Sequence, residues 1–122
     1  MDILALFFVL QIKHYWADFV IQTYQQTIRK GIYRDLCGIS HSLDHLWCSL
    51  LALLVFSFFY PISILNIIFV SAVEVVLHYH IDFIKVKYGT KDQTQSLFWN
   101  QFGMDQLAHQ ITYIAMAGYL LL

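Results

Sequence analysis

Four pairs of residues with metal-binding or acid–base chemistry stand at i, i+4 spacing in this 122-residue chain: His14 with Asp18, His41 with His45, His78 with Asp82, and Asp105 with His109. Residues four apart share one helix face, one turn above the other, so each pair can aim at a single point inside a bundle. Imidazole and carboxylate together form the ligand set of zinc, manganese and non-haem iron, and bundle cores build two-metal centres from facing helices. The expected site is one or two divalent ions (Zn, Mn or Fe) held among all eight of these residues. Any single pair also reads as an interhelical hydrogen bond. Four pairs, one on each predicted helix, favour the metal.

The elements that carry the pairs read as membrane helices. Hydrophobic residues make up 59% of the chain and charged residues 12%, about half the usual charged share of ~25%, and the mean hydropathy is +0.59. Asp2 stands where a secretory signal would be basic, and no A-x-A cleavage pattern follows, so the first apolar segment is expected to be retained as a helix. From Leu46 to Val73 there is no Asp, Glu, Lys, Arg or His. One helix over that run would be about 42 Å long, too long for a ~30 Å hydrocarbon core, and Pro61 divides it into a hairpin. The predicted fold is an all-α membrane protein: a single domain over 1–122, a bundle of four transmembrane helices near 2–22, 41–60, 62–84 and 104–122. Two polar connectors join the outer helices to the hairpin. Arg29, Lys30 and Arg34 lie in the first and Lys85, Lys87 and Lys91 in the second, which predicts both connectors cytoplasmic and both termini outside. Counted from the outer ends at 1.5 Å per residue, all four pairs fall about 18 to 32 Å down, in the cytoplasmic half.

The polar stripes extend beyond the pairs. Gln11, His14, Asp18 and Gln22 line one side of the first helix; Ser71, Glu74, His78, Asp82 and Lys85 line one side of the third. An intramembrane carboxylate costs ~2.5 to 3.5 kcal/mol on insertion scales, so Asp18, Glu74, Asp82 and Asp105 should face inward and be compensated. His80, two residues from His78, points elsewhere, to a hydrogen bond or the interface. Lys13 either snorkels or counters a core carboxylate. The net charge of -1 offers no basic excess for a phosphate backbone, so no nucleic-acid partner is expected. Cys37 and Cys48 match no zinc spacing and read as free thiols.

The segments HYWADFVIQ, HSLDH, EVVLHYHIDFIK and DQLAH resemble, in the same order, the motifs of the small bacterial and phage membrane proteins called domain of unknown function 3307. By position the resemblance marks His14, Asp18 and Gln22, then His41 and His45, then His78, Asp82 and Lys85, and finally Asp105, Gln106 and His109. It implies a multi-pass protein of a bacterial, or phage-infected, inner membrane. Lys13 beside the first histidine and the additional His80 depart from the pattern. A more distant similarity is to membrane-bound metal-dependent hydrolases.

The expected function is hydrolysis of a lipid or amphiphilic ester, a phosphoester first among them, by metal-activated water. Glu74 or one of the aspartates would take the proton, and Lys85 would hold the headgroup phosphate as a point charge. The alternative is a small proton- or cation-coupled transporter, or an ion-conducting homo-oligomer, built on the same polar cluster. Bis-histidine haem binding is a third reading, to which the interleaved aspartates are ill suited. A regulator acting only through helix contacts needs none of this chemistry.

Overall fold

A computed structural model describes residues 2–122, and they are helical nearly throughout. Helix α1 spans Asp2–Tyr15 and continues as a wider π-helical turn over Trp16–Val20, closed by the Ile21 N–H donating to the Trp16 carbonyl at 3.1 Å. Short helix α2 spans Tyr24–Arg29, α3 Leu36–Ser57, α4 Ile64–Tyr88 and α5 Ser96–Leu121.

The first connector is more ordered than its polar composition predicts. Thr23 and Gln26 form a capping box: the Thr23 hydroxyl accepts the Gln26 N–H at 3.3 Å and the Gln26 amide oxygen accepts the Thr23 N–H at 2.7 Å. That reciprocal pair satisfies two otherwise orphaned donors and nucleates α2. Asp35 then accepts the Cys37 N–H at 2.9 Å, so α3 begins at Leu36 rather than near 41. Gly38 lies inside α3. A Cβ there would come 3.2 Å from the Lys30 Cα, so the glycine lets the end of α2 press against α3.

Around Pro61 the chain leaves α3 after Ser57 and enters α4 at Ile64, whose first turn is capped by the Ser63 hydroxyl accepting the Asn66 N–H at 3.1 Å. Helix α4 runs to Tyr88, four residues beyond the expected 84. Helix α5 starts at Ser96 rather than 104, because Phe98 and Phe102 pack under Lys85, and only Gly103 interrupts a run of ordinary helix formers. The second connector shrinks to a turn organised by Asp92, whose side chain accepts from the Thr94 N–H at 3.0 Å and the Gln95 amide at 2.9 Å.

Neighbours pack α1–α3, α3–α4, α4–α5 and α5–α1, a closed ring of four antiparallel helices with α2 laid on α3. The half near the termini and Pro61 is apolar, with Leu6, Leu10, Leu53, Phe56, Ile67, Val70, Met116 and Ala117 at its core. The half near the connectors holds the polar pairs. Three helical segments, Asp2–Val20, Leu36–Ser57 and Ile64–Tyr88, are long and apolar enough to cross a membrane. The expected fourth is not among them: α5 has 26 residues, but Asn100, Gln101, Asp105, Gln106 and Gln110 dilute its hydropathy. Large apolar side chains cover the outside, including Trp47 at 68%, Leu65 at 79% and Phe58 at 85% exposed. That surface, with the three apolar helices, suggests membrane association.

Candidate metal centre

Each helix of the ring delivers its pair to one buried layer. On α1 the π turn carries Asp18 and turns its carboxylate across the bundle toward α3; such widened turns recur at functional sites. Asp18 Oδ1 lies 3.0 Å from His41 Nε2, 2.9 Å from His45 Nε2 and 3.7 Å from His78 Nε2. On α4, Asp82 Oδ2 lies 3.3 Å from His41 Nε2 and 3.2 Å from His78 Nε2, while Asp82 Oδ1 is 3.6 Å from His109 Nε2 on α5. His41, His45, His78 and His109 are all at most 2% exposed.

Two donor sets result. Asp18, His41, His45 and His78 offer one ligand atom each within 4.8 Å of one another, and so do His78, Asp82 and His109. Tetrahedral ligands about 2.1 Å from an ion sit ~3.4 Å apart; in the first set Asp18 Oδ1 is 2.9 to 3.7 Å from the three histidine nitrogens. Hydrogen bonding alone does not explain the convergence. His41 Nε2 faces Asp18 Oδ1 at 3.0 Å, Asp82 Oδ2 at 3.3 Å, His78 Nε2 at 3.2 Å and the Gln22 amide at 2.8 Å. One imidazole nitrogen donates or accepts a single hydrogen bond, so four partners around it exceed its capacity.

Of the eight residues expected as ligands, His14 and Asp105 stand at the edge of the layer, in neither set. His14 Nδ1 meets the Tyr113 hydroxyl at 2.9 Å, and its Nε2 lies 3.1 Å from Gln106 Oε1 and 3.2 Å from Asp18 Oδ2. Asp105 Oδ1 is 3.7 Å from His109 Nε2, and both atoms are buried without a hydrogen bond. Glu74 lies one level toward the apolar half. It is paired with Lys13, accepts from the Ser49 hydroxyl, and is 3.8 Å from His45 Nδ1 and 3.3 Å from the Tyr113 hydroxyl. Lys13 thus counters a core carboxylate rather than snorkelling. Lys85 is outside the layer, half-buried over the Phe102 ring at 5.2 Å. His80 is turned away, with Nδ1 2.7 Å from the Val76 carbonyl oxygen.

Two contributors, Lys30 and Tyr113, are absent from the residues that the sequence singles out as ligands or catalysts. Lys30, read as a connector cation, is buried with its ammonium donating to Asp82 Oδ2 at 2.9 Å, delivered there by α2 and the close approach at Gly38. Nothing local announces that long-range pairing. Tyr113 was within reach, because it stands four residues after His109 on the same face. The charge balance follows. Asp18, Glu74, Asp82 and Asp105 are four buried carboxylates, Lys13 and Lys30 the two buried ammonium groups, and the remaining two negative charges match one divalent cation.

Fold and layer together define a helical-bundle protein with a buried histidine–carboxylate cluster of metal-binding geometry. The chain belongs to the DUF3307 family, described as protein of unknown function, whose family model matches residues 6–122. No curated protein and no solved structure matches it.

Proposed function

We propose that this chain is a metal-dependent hydrolase of a lipid or amphiphilic phosphoester, set in a bacterial inner membrane as one domain with four spans. The connectors are cytoplasmic and the termini outside, in keeping with six of seven cations lying in or beside the connectors. The observation that carries the reading is the overcrowded His41 Nε2, whose crowding by Asp18, His78 and Asp82 becomes sensible when these groups surround a cation. Asp18, His41, His45 and His78 would hold one divalent ion, and Asp82 and His109 lie beside them as further donors that would adjust it. His14 and Gln22 orient Asp18 and His41 from behind, and Glu74, facing His45 Nδ1, fixes that ring so that its Nε2 points into the site. A bound divalent ion would lower the pKa of water and polarise the phosphoryl group.

Asp105 is the best-placed base. Both oxygens of Glu74 are engaged by Lys13, Ser49 and Tyr113, whereas Asp105 Oδ1 makes no hydrogen bond beside His109. In hydrolysis the water oxygen bonds to phosphorus, its proton passes to Asp105, the ester P–O bond breaks, and the departing alcohol takes that proton. The test is chelator-sensitive phosphate release from a panel of phospholipids and lipid pyrophosphates. Asp105→Asn should abolish turnover with metal retained; Glu74→Gln should weaken metal binding and turnover together. No chelator-sensitive turnover, with cation or proton flux in liposomes that depends on Asp18 and Asp105, would replace this reading by transport.

A further inference from the structure

Helices α4 and α5 part at the connector end, leaving a groove of about 340 Å³ open to the outside of the bundle. Its walls are largely apolar, Ile81, Ile84, Tyr88, Met104 and Ala108, joined by Gly89 and Gln101. Its polar ends differ. At the rim is the Lys85 ammonium, steadied over Phe98 and Phe102. At the floor is Asp105, 8% exposed, with Oδ1 unpartnered and 3.7 Å from the equally unpartnered His109 Nε2.

We propose that this groove admits one single-chain amphiphile with a phosphate headgroup: the chain lies against Ile81, Ile84 and Met104, the phosphate on Lys85, and the ester bond toward Asp105 and His109. The volume sits near the lower end of the ~300 to 1,000 Å³ range of ligand pockets, room for one chain and not two. A lone cation at the mouth complements an anionic headgroup. The buried, unpartnered Asp105 Oδ1 at the floor, with His109 Nε2 3.7 Å from it, gives the headgroup end a polar destination that a purely packing groove lacks. A larger apolar groove between α1 and α3, about 400 Å³, has no such destination, since its one cation, Lys13, is already neutralised by Glu74. The inference rests on the hydrolase reading only in making the groove an entrance for substrate.

The probe is an alkyl phosphate carrying a mid-chain diazirine, photolysed with the full-length protein in mild detergent and mapped by mass spectrometry. Label is expected on α4 and α5 between 81 and 108. Ala108→Trp, which fills the groove from a partly exposed position, should remove it, and Met104→Trp, at a more exposed position, should act in the same direction. Lys85→Gln should reduce labelling about fivefold to tenfold, the worth of one ionic contact, and the matching alkyl alcohol should label no better than that variant. Metal content should stay at the parent value in all three variants. Label confined to the α1–α3 face, or unchanged by both tryptophan substitutions, overturns the proposal. Groove labelling without turnover supports it and removes the hydrolase reading; turnover without groove labelling does the reverse.

Discussion

Lys13 and Glu74 give the sharpest test of how the layer is held. Their side chains are 4% and 1% exposed, and Lys13 Nζ also lies 3.2 Å from His45 Nδ1, so this pair braces a proposed ligand from behind. Lys13→Met removes the cation and strands a carboxylate among the Ser49 and Tyr113 hydroxyls and His45. Breaking a buried pair in this way costs about 3–5 kcal/mol, most of it from the charge left behind. Glu74→Gln alone leaves the ammonium stranded at a similar cost, although the Gln amide oxygen still accepts from one of the two hydroxyls that Glu74 serves, Ser49 on Oε2 and Tyr113 on Oε1. The double variant strands neither charge and keeps one of those hydroxyl bonds, so it should lie within about 1–2 kcal/mol of the parent. Equilibrium unfolding in mixed micelles, with all four proteins at matched metal loading, measures the cycle. A double variant as unstable as the sum of the singles would refute the pairing, and with it the charge count that leaves room for one divalent ion.

Gly38→Val should push α2 off α3 at the 3.2 Å contact with Lys30, releasing its ammonium from Asp82; the loss should show as lower thermal stability and faster proteolysis in residues 23–35, with α3 still formed. Asp35→Ala should lower the melting temperature at neutral pH by uncapping α3. The Arg29 guanidinium, 2.5 Å from the Asp35 carboxylate, holds that carboxyl below the usual aspartate value. Its contribution is therefore complete above pH ~4 and lost as the pH falls through the lowered value, so the gap between parent and variant should close in strong acid. Single cysteines at Thr27 and Thr90, on the two connectors, should stay unlabelled by an impermeant reagent in intact cells; labelling of both would reverse the orientation.

What the sequence made legible was periodic and local. The i, i+4 pairs, the break around Pro61 and the inward polar stripes are all consequences of one repeat length acting on residue type, and the structure gathers most of the marked residues into one layer. The misses have separate causes. Helix α2 was hidden because the first connector, with Arg29, Lys30, Arg34 and Asp35, reads as a polar loop, although Thr23-x-x-Gln26 carries a capping signature that composition overrides. The early start of α5 followed from reading 96–103 as loop, when its aromatic residues had α4 to pack on. His14 and Asp105 fall at the margin of the layer because counting depth at a constant rise fixes a residue's height along the bundle but not its distance from the axis. The widened π turn at Trp16–Val20 also shifts the register of Asp18 relative to His14. Lys30 is a tertiary event: its burial depends on α2, on Gly38 and on Asp82 fifty-two residues away, and no window of sequence contains all three.

The central claim is that the layer binds a divalent cation, and elemental analysis of protein purified in mild detergent tests it most directly. The account predicts about one or two zinc, manganese or iron ions per chain, lost together with thermal stability in His41→Ala/His78→Ala. Purified protein with no stoichiometric metal, and a double variant no less stable than the parent, would contradict it.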